Sequence, residues 1–404
     1  MNFALAKLVC YNDIAEYLAD GPKGDFTTEE RLAPLCTRLL VEFNLACPAA
    51  RTLTELMVER HMRIMYVAPE HNEFIRSGAS SEPLLAEAAA KFMNECGLDD
   101  WAAFLAEVAN DDIIKTGDLG DLVARLLLTL AFDRAGNAHH GGNGRCYSKA
   151  VPVVDFLGAL FADQWHDTVF SSTPLGAQVD AVPLREAFKN AFVRFSHFAE
   201  FDSGDVLDTH IAAAAVARGF ALWIASVRVA VHIAIPVVMK DEKLDAEVMS
   251  WIFIQLKTGR SLARTLDQDD IDDIFHGNSN SYPFIHIAMQ LHPKSKPLTA
   301  ESPATESPTA DSPEPEAETS IQHPCYKLTA YGCSPSVYNV IKDKDKGHFV
   351  SLVDNYPYQD PASIAAVHQM KIEWIRVPAC FDWADDPSLQ SRGKEDIVEG
   401  VFAA

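Results

Sequence analysis

An amide and an ammonium two residues apart close an otherwise apolar run, Trp251-Ile-Phe-Ile-Gln-Leu-Lys257. Side chains alternate along a strand, so Phe253, Gln255 and Lys257 fall on one face and Ile252, Ile254 and Leu256 on the other. The preceding apolar run, "AVHIAIPVVM", leads into the charged loop "KDEKLDAE". A hairpin-like return there brings Asp241, Glu242 and Asp245 toward one end of a sheet. A lysine beside an amide or carboxylate, with an acid from the neighbouring strand, is the smallest set that supports metal-assisted phosphodiester cleavage. The acids hold a divalent cation, which polarises the phosphate and lowers the pKa of a bound water. The lysine orients that water and offsets charge developing on phosphorus. A plainer reading stands beside this one: Lys257 reaches water where the strand ends at Thr258-Gly259, and Gln255 is a buried amide satisfied by backbone.

The elements that must position these residues show in the hydrophobic periodicity. Clustered apolar runs predict strands at 229–239, 250–257, 282–291 and 325–333. From 1 to about 135 the spacing is helical: "RTLTELMVERHMRIMYV", "SSEPLLAEAAAKFMNECGL" and "LGDLVARLLLTLAFDRA" repeat apolar residues every three or four positions. The third is apolar around most of its circumference, which predicts a central helix. "VPVVDFLGALFADQW" predicts a helix, "LREAFKNAFVRFSHFAEF" a helix running into a strand, and "DVLDTHIAAAAVARGFALWI" a long helix with Asp205 and Asp208 in its first turn, where carboxylates complement the dipole. A last helix is expected near "DPASIAAVHQMKIEWI". The fold class that follows is α+β or α/β, a helical N-terminal half joined to a small mixed sheet.

The domain division follows the same texture: a helical domain over 1–135, an α/β domain over 136–292 and 325–380, an insertion over 293–324, and a tail over 381–404. The insertion, "PKSKPLTAESPATESPTADSPEPEAETSIQHP", has almost no large apolar residue and is expected to be disordered. The glycine-rich "GNAHHGGNGRCYS" places His139 beside His140; neighbouring histidines hold one metal ion only with a third ligand from elsewhere, and a flexible surface loop is the plainer reading. Its glycines match neither phosphate-binding spacing.

Composition narrows the function classes. The chain has 404 residues and a net charge of −23, which argues against a broad basic surface for gripping nucleic acid, though a local basic channel is compatible with it. Eight cysteines without metal-finger spacing, and no N-x-[ST] acceptor, suit reduced thiols in the cytoplasm or nucleus. The start, "MNFALAKLVCYNDIAEYLAD", lacks the basic and apolar regions of a signal peptide. Residues 211–238 are long enough to span a bilayer, but Arg218, Arg228 and His232 fall inside, and their change of texture predicts a buried helix followed by a buried strand. There is no G-x-S-x-G elbow to suggest a serine hydrolase.

The order helix, "HIAIPVVM" strand, "IFIQLK" strand resembles the PD-(D/E)XK restriction-endonuclease-like fold, whose third motif is acid-x-Lys and tolerates Gln in place of the acid. More narrowly, "SEPLLAEAAAKFM", "LVARLLLTLAFDRA", "FVRFSHF", "IPVVMKDEKLDAEVMSWIFIQLK" and "AYGCSPSVYNV" resemble segments of a group of fungal, chiefly basidiomycete, proteins similar to the nuclease-like portions of Crinkler and retrotransposon-hotspot-type effectors. The resemblance spans roughly residues 60–375. Those effectors commonly carry a P-loop ATPase domain ahead of the nuclease-like part, and no Walker sequence occurs in this chain.

The resemblance implies a Mg²⁺-dependent nuclease acting on DNA, with Gln255 and Lys257 in the third motif. The acid of the preceding strand falls on His232, a departure that leaves the site without its usual anionic ligands. The metal set is then Gln255, His232 and a carboxylate substituting from elsewhere, Asp241 of the loop first and Asp208 of the helix second. The rival expectation is a non-enzymatic interaction module of the same fold, with protein partners of unspecified kind. His232, His197 and His286 each have a plainer reading as satisfied core histidines, and the acids of "DQDDIDDIF" as a solvated turn.

Overall fold

The computed structural model describes residues 26–60, 62–67, 76–79, 82–95, 100–115, 119–141, 146–175, 181–201, 207–224, 231–240, 244–257, 274–275, 281–292, 299–300 and 323–354, with Ala4 and Leu8. All of these fall within one compact unit, Met1–Tyr356.

Helix α1, Thr28–Leu39, starts at a capping box: the Thr27 hydroxyl accepts the Glu30 amide while the Glu30 carboxylate accepts the Thr27 amide. It ends at Leu40, whose left-handed φ of 53° turns the chain away. Helix α2, Pro48–Glu59, follows with proline in its first turn, where no amide is needed. The helical periodicity of 51–67 is then interrupted. Arg63–Val67 forms strand β1, paired antiparallel with β2, Arg76–Ala79. Arg63 explains the switch: its buried guanidinium lies over the Phe43 ring and donates to the carbonyls of Val41 and Ser77, contacts that hold the chain extended.

Helices α3 (Pro83–Glu95), α4 (Trp101–Asn110) and α5 (Leu119–His139) complete the helical layer. Helix α5 is buried nearly all round, as its sequence predicts, and at 1.5 Å per residue its 21 residues span about 31 Å. The expected boundary at 135/136 lies inside it.

The sheet is assembled from β3 (Val151–Pro152), β4 (Phe192–Val193), β5 (His197–Phe201), β6 (Phe220–Ile224), β7 (Ile233–Val238), β8 (Met249–Lys257), β9 (Phe284–Gln290), β10 (Thr299–Ala300) and β11 (Cys325–Tyr331). Its order is β10-β11-β9-β8-β7-β4-β3, with β6 also on β7 and β5 on β6. The four strands expected from sequence are its centre. Strands β8, β9 and β11 run parallel, and β7 runs antiparallel to β8. Short helices α6 (Val153–Leu160), α7 (His166–Phe170) and α8 (Leu184–Ala187), then α9 (Thr209–Arg218) and α10 (Lys346–Asp354), complete a mixed α+β fold.

The sheet is apolar on both faces, which accounts for the near-continuous hydrophobic runs of its central strands. One face, with Ile233, Ile235, Ile252, Ile254, Ile285 and Ile287, shares a single core with the N-terminal helices. The other, with Ala234, Trp251, Phe253 and Phe284, packs against Ala212 and Val216 of α9. Helix α9 is shorter than the sequence predicts. Gly219 takes φ +71° and ends it, so "FALWI" becomes β6 rather than a further helical turn.

Among the described residues no helix is long and apolar enough to cross a membrane. The helix expected near 360–375 and most of the 293–324 insertion lie outside the described residues; Thr299–Ala300 within that insertion pairs with β11.

Candidate functional site

The sequence places the chemistry where β8 leaves the sheet, and the register shows what surrounds it. Strand β8 stays paired to β9 through Lys257, opposite Gln290, whereas its pairing to β7 ends where Ile233 meets Ile254. The Leu256 amide therefore has no strand partner on the β7 side. His232 supplies one. Its own N–H donates to the Ile254 carbonyl at 2.9 Å, its carbonyl accepts the Ile224 amide at 2.8 Å, and its imidazole Nδ1 accepts the Leu256 amide at 3.3 Å. A ring nitrogen that accepts an amide hydrogen carries no proton, so the neutral ring keeps its proton on Nε2. The residue at the position of the expected acid thus bridges three strands.

Gln255 is buried, 4% exposed, and follows Phe253 on the face that packs against α9. Asp208 lies just outside that helix, where its Oδ1 accepts the Ile211 amide at 2.8 Å as the N-cap. Asp245 starts the short turn before β8 and is exposed. Asp241, Glu242 and the aspartates of "DQDDIDDIF" lie outside the described residues, as does the Lys257 side chain. His232 is bonded to Ile254 and Leu256, the residues on either side of Gln255 in β8. Among the described residues, no three of His, Cys, Asp and Glu stand in an arrangement that holds a metal ion.

A second polar centre, absent from the sequence reading, sits between the helical layer and the sheet. Arg38 of α1 is fully buried; its two terminal nitrogens donate to the two oxygens of Asp133 on α5 at 2.6 and 2.7 Å. Arg38 Nε donates to the Ser196 carbonyl at 2.8 Å, and Asn94 of α3 donates to Asp133 at 2.7 Å. Next to Ser196, His197 is fully buried, with Nδ1 3.1 Å from the Ser196 hydroxyl. Burial, and then the charges of Arg38 and Arg218, hold its pKa down at about 4, so the ring is neutral near neutral pH. The plainer reading of His197 as a core histidine describes its place.

The signal for this centre lies in α5. Asp121, Arg125, Thr129 and Asp133 recur every fourth residue on a helix whose other buried residues are all apolar. Asp121 accepts the Trp223 indole N–H at 3.1 Å, and Arg125 stacks on that indole at 4.3 Å while donating to the Leu40 carbonyl. A polar stripe on a buried helix requires buried partners; which partners they are is set by tertiary pairing.

Comparison with protein-family models, with curated proteins and with solved structures finds no match to this chain.

Proposed function

We propose that this chain is a non-catalytic module, structural or partner-binding, whose sequence segments around β7 and β8 resemble those of a restriction-endonuclease-like domain. One observation carries the reading: the Nδ1 of His232, which stands where that resemblance expects a metal-binding acid, accepts the Leu256 amide and closes the β7–β8 edge. The same use of polar groups holds at Asp208, whose Oδ1 caps α9. A hard cation such as Mg²⁺ takes oxygen ligands and at least one carboxylate. Neither His232 nor Gln255 supplies a carboxylate.

The test is calorimetry with Mg²⁺ and Mn²⁺, paired with plasmid nicking, on the full chain and on Lys257→Ala. The expected result is no metal heat and the same background nicking from both proteins. Mn²⁺-dependent nicking by the unaltered chain that disappears in Lys257→Ala would overturn the proposal and establish the rival reading, an active nuclease in which Asp241 supplies the carboxylate and Lys257 orients the water.

A further inference from the structure

Two large apolar side chains stand exposed at one end of β11, Leu175 at 41% and Val182 at 49%. Each is tied to the start of that strand. The Leu175 amide donates to the Cys325 carbonyl at 2.8 Å, and the Tyr326 hydroxyl donates to the Val182 carbonyl at 2.8 Å. Two cations flank them. Lys327 follows on β11, and Arg185, exposed and stacked over the Phe170 ring at 4.6 Å, stands three residues after Val182. Glu186, the acid beside Arg185, is paired with Lys189.

The course of the chain brings one particular segment to this surface. Strand β10 runs antiparallel to β11, with Thr299 opposite Thr329 and Ala300 opposite Leu328, so it leaves the sheet heading toward Cys325. At about 3.3 Å per residue, the Leu175 contact lies about 10 Å further along that line. The chain returns at His323, two residues before Cys325, where the imidazole stacks on Phe275 at 4.1 Å and Nδ1 lies 3.0 Å from the Tyr282 carbonyl. Residues 301–322, which lie outside the described residues, thus have both ends fixed beside β11. Extended, such a length of chain reaches about 70 Å, ample to cross the patch. Its sequence has six acids from Glu301 to Glu318, no base, and Ile321 as its one large apolar residue.

We propose that residues 301–322 are the resident partner of this surface, docked in cis along the outer edge of β11 and across Leu175 and Val182. The next rung of the β10–β11 ladder sets Glu301 opposite Lys327, an opposite-charge cross-strand pair. The ladder stops there because Leu175 already fills the Cys325 carbonyl. Beyond it the acids face Arg185, and Ile321 covers the two aliphatic side chains. Docked this way, the segment occupies a strand edge and an apolar patch that suit an extended acidic chain, the strand-addition mode of recognition, and withholds them from other proteins. Strand β11 is two strands from β8, so undocking leaves the metal and nicking behaviour tested above as it was.

The test is limited proteolysis of the full chain with a glutamate-specific protease, following cleavage after Glu306 by mass spectrometry. In low salt the unaltered chain is expected to be cut slowly there, at a rate independent of protein concentration. Lys327→Glu, and separately Leu175→Asp with Val182→Asp, should speed that cleavage by about tenfold, and added salt should speed it in the unaltered chain. Glu301→Lys placed on the Lys327→Glu chain should restore slow cleavage. Far-UV circular dichroism establishes that each variant is folded; the Leu175 and Val182 changes, at exposed positions, decide the matter if Lys327→Glu is not. Equal rates in the unaltered chain and the variants, or a charge swap that restores nothing, would overturn the proposal. Protection that grows with protein concentration would also overturn it, placing the segment on a second copy.

Discussion

Arg38 and Asp133, ninety-five residues apart, meet as a two-pronged ion pair in the interior, each side chain at most 2% exposed. The pair joins α1 to α5, and through Arg38 Nε it extends to the Ser196 carbonyl beside β5. A helical layer and a sheet edge are thereby held in one register. Removing one partner leaves a buried charge without its counterpart, which costs about 3–5 kcal/mol, whereas replacing both with apolar residues is far milder. Arg38→Met and Asp133→Leu should each lower stability by that order in urea denaturation, and the double variant should lose less than the sum. Additive losses would mean that the two groups do not act as a pair.

His197 makes the same region sensitive to acid. Its pKa is about 4 in the fold against the usual 6.5, because burial and the nearby Arg38 and Arg218 disfavour its charged form. Between those two values the unfolded chain binds the extra proton and the folded chain does not. Stability from this group is therefore complete above about pH 6.5 and falls steadily toward pH 4, by about 3 kcal/mol across the window. Urea midpoints measured from pH 7 down to pH 4.5 should show that slope, and His197→Gln should flatten it. An unchanged slope in His197→Gln would place the acid sensitivity elsewhere.

Gly219 sets where α9 stops and β6 starts, and its carbonyl accepts the Ser196 amide at 2.8 Å. A Cβ at this position would meet nothing closer than 3.9 Å, so the cost of a side chain comes from φ +71° and not from collision. Gly219→Ala should destabilise by about 1 kcal/mol, and Gly219→Asn by less, since asparagine enters the left-handed region more readily. Equal losses for Ala and Asn in thermal unfolding would point to sterics instead of backbone conformation.

How far these features could be read from the chain depends on the range of the interaction behind each. The central strands were legible because both faces of β8 and β9 are buried, which writes long apolar runs into the sequence. Helix α5 was legible for the same reason. The β1–β2 hairpin was not, because Arg63 is held extended by Val41, Phe43 and Ser77, residues outside any local window. At the candidate site, the family resemblance assigned Gln255 and His232 to one metal set. It had no means of showing that the ring nitrogen would meet the Leu256 amide, since that contact depends on the β7–β8 pairing stopping at Ile233 and Ile254 while β8 runs on to Lys257. The Arg38–Asp133 pair left only the fourfold spacing of polar residues along α5 as a trace.

The bond between His232 and Leu256 yields the most direct test of whether this position serves the backbone or a metal. His232→Leu leaves the Leu256 amide, at a partly buried strand edge, without its acceptor, and an orphaned buried donor costs about 1–3 kcal/mol. His232→Asn keeps an acceptor oxygen and should recover most of that loss. His232→Asp also keeps an acceptor and adds the carboxylate that the nuclease resemblance expects. A structural role predicts that the asparagine and aspartate variants both exceed the leucine variant in urea stability, with the unaltered chain and the asparagine variant alike indifferent to Mn²⁺. If the leucine variant matches the unaltered chain in stability, the imidazole contributes nothing to the strand edge, and the site regains a histidine free for other chemistry.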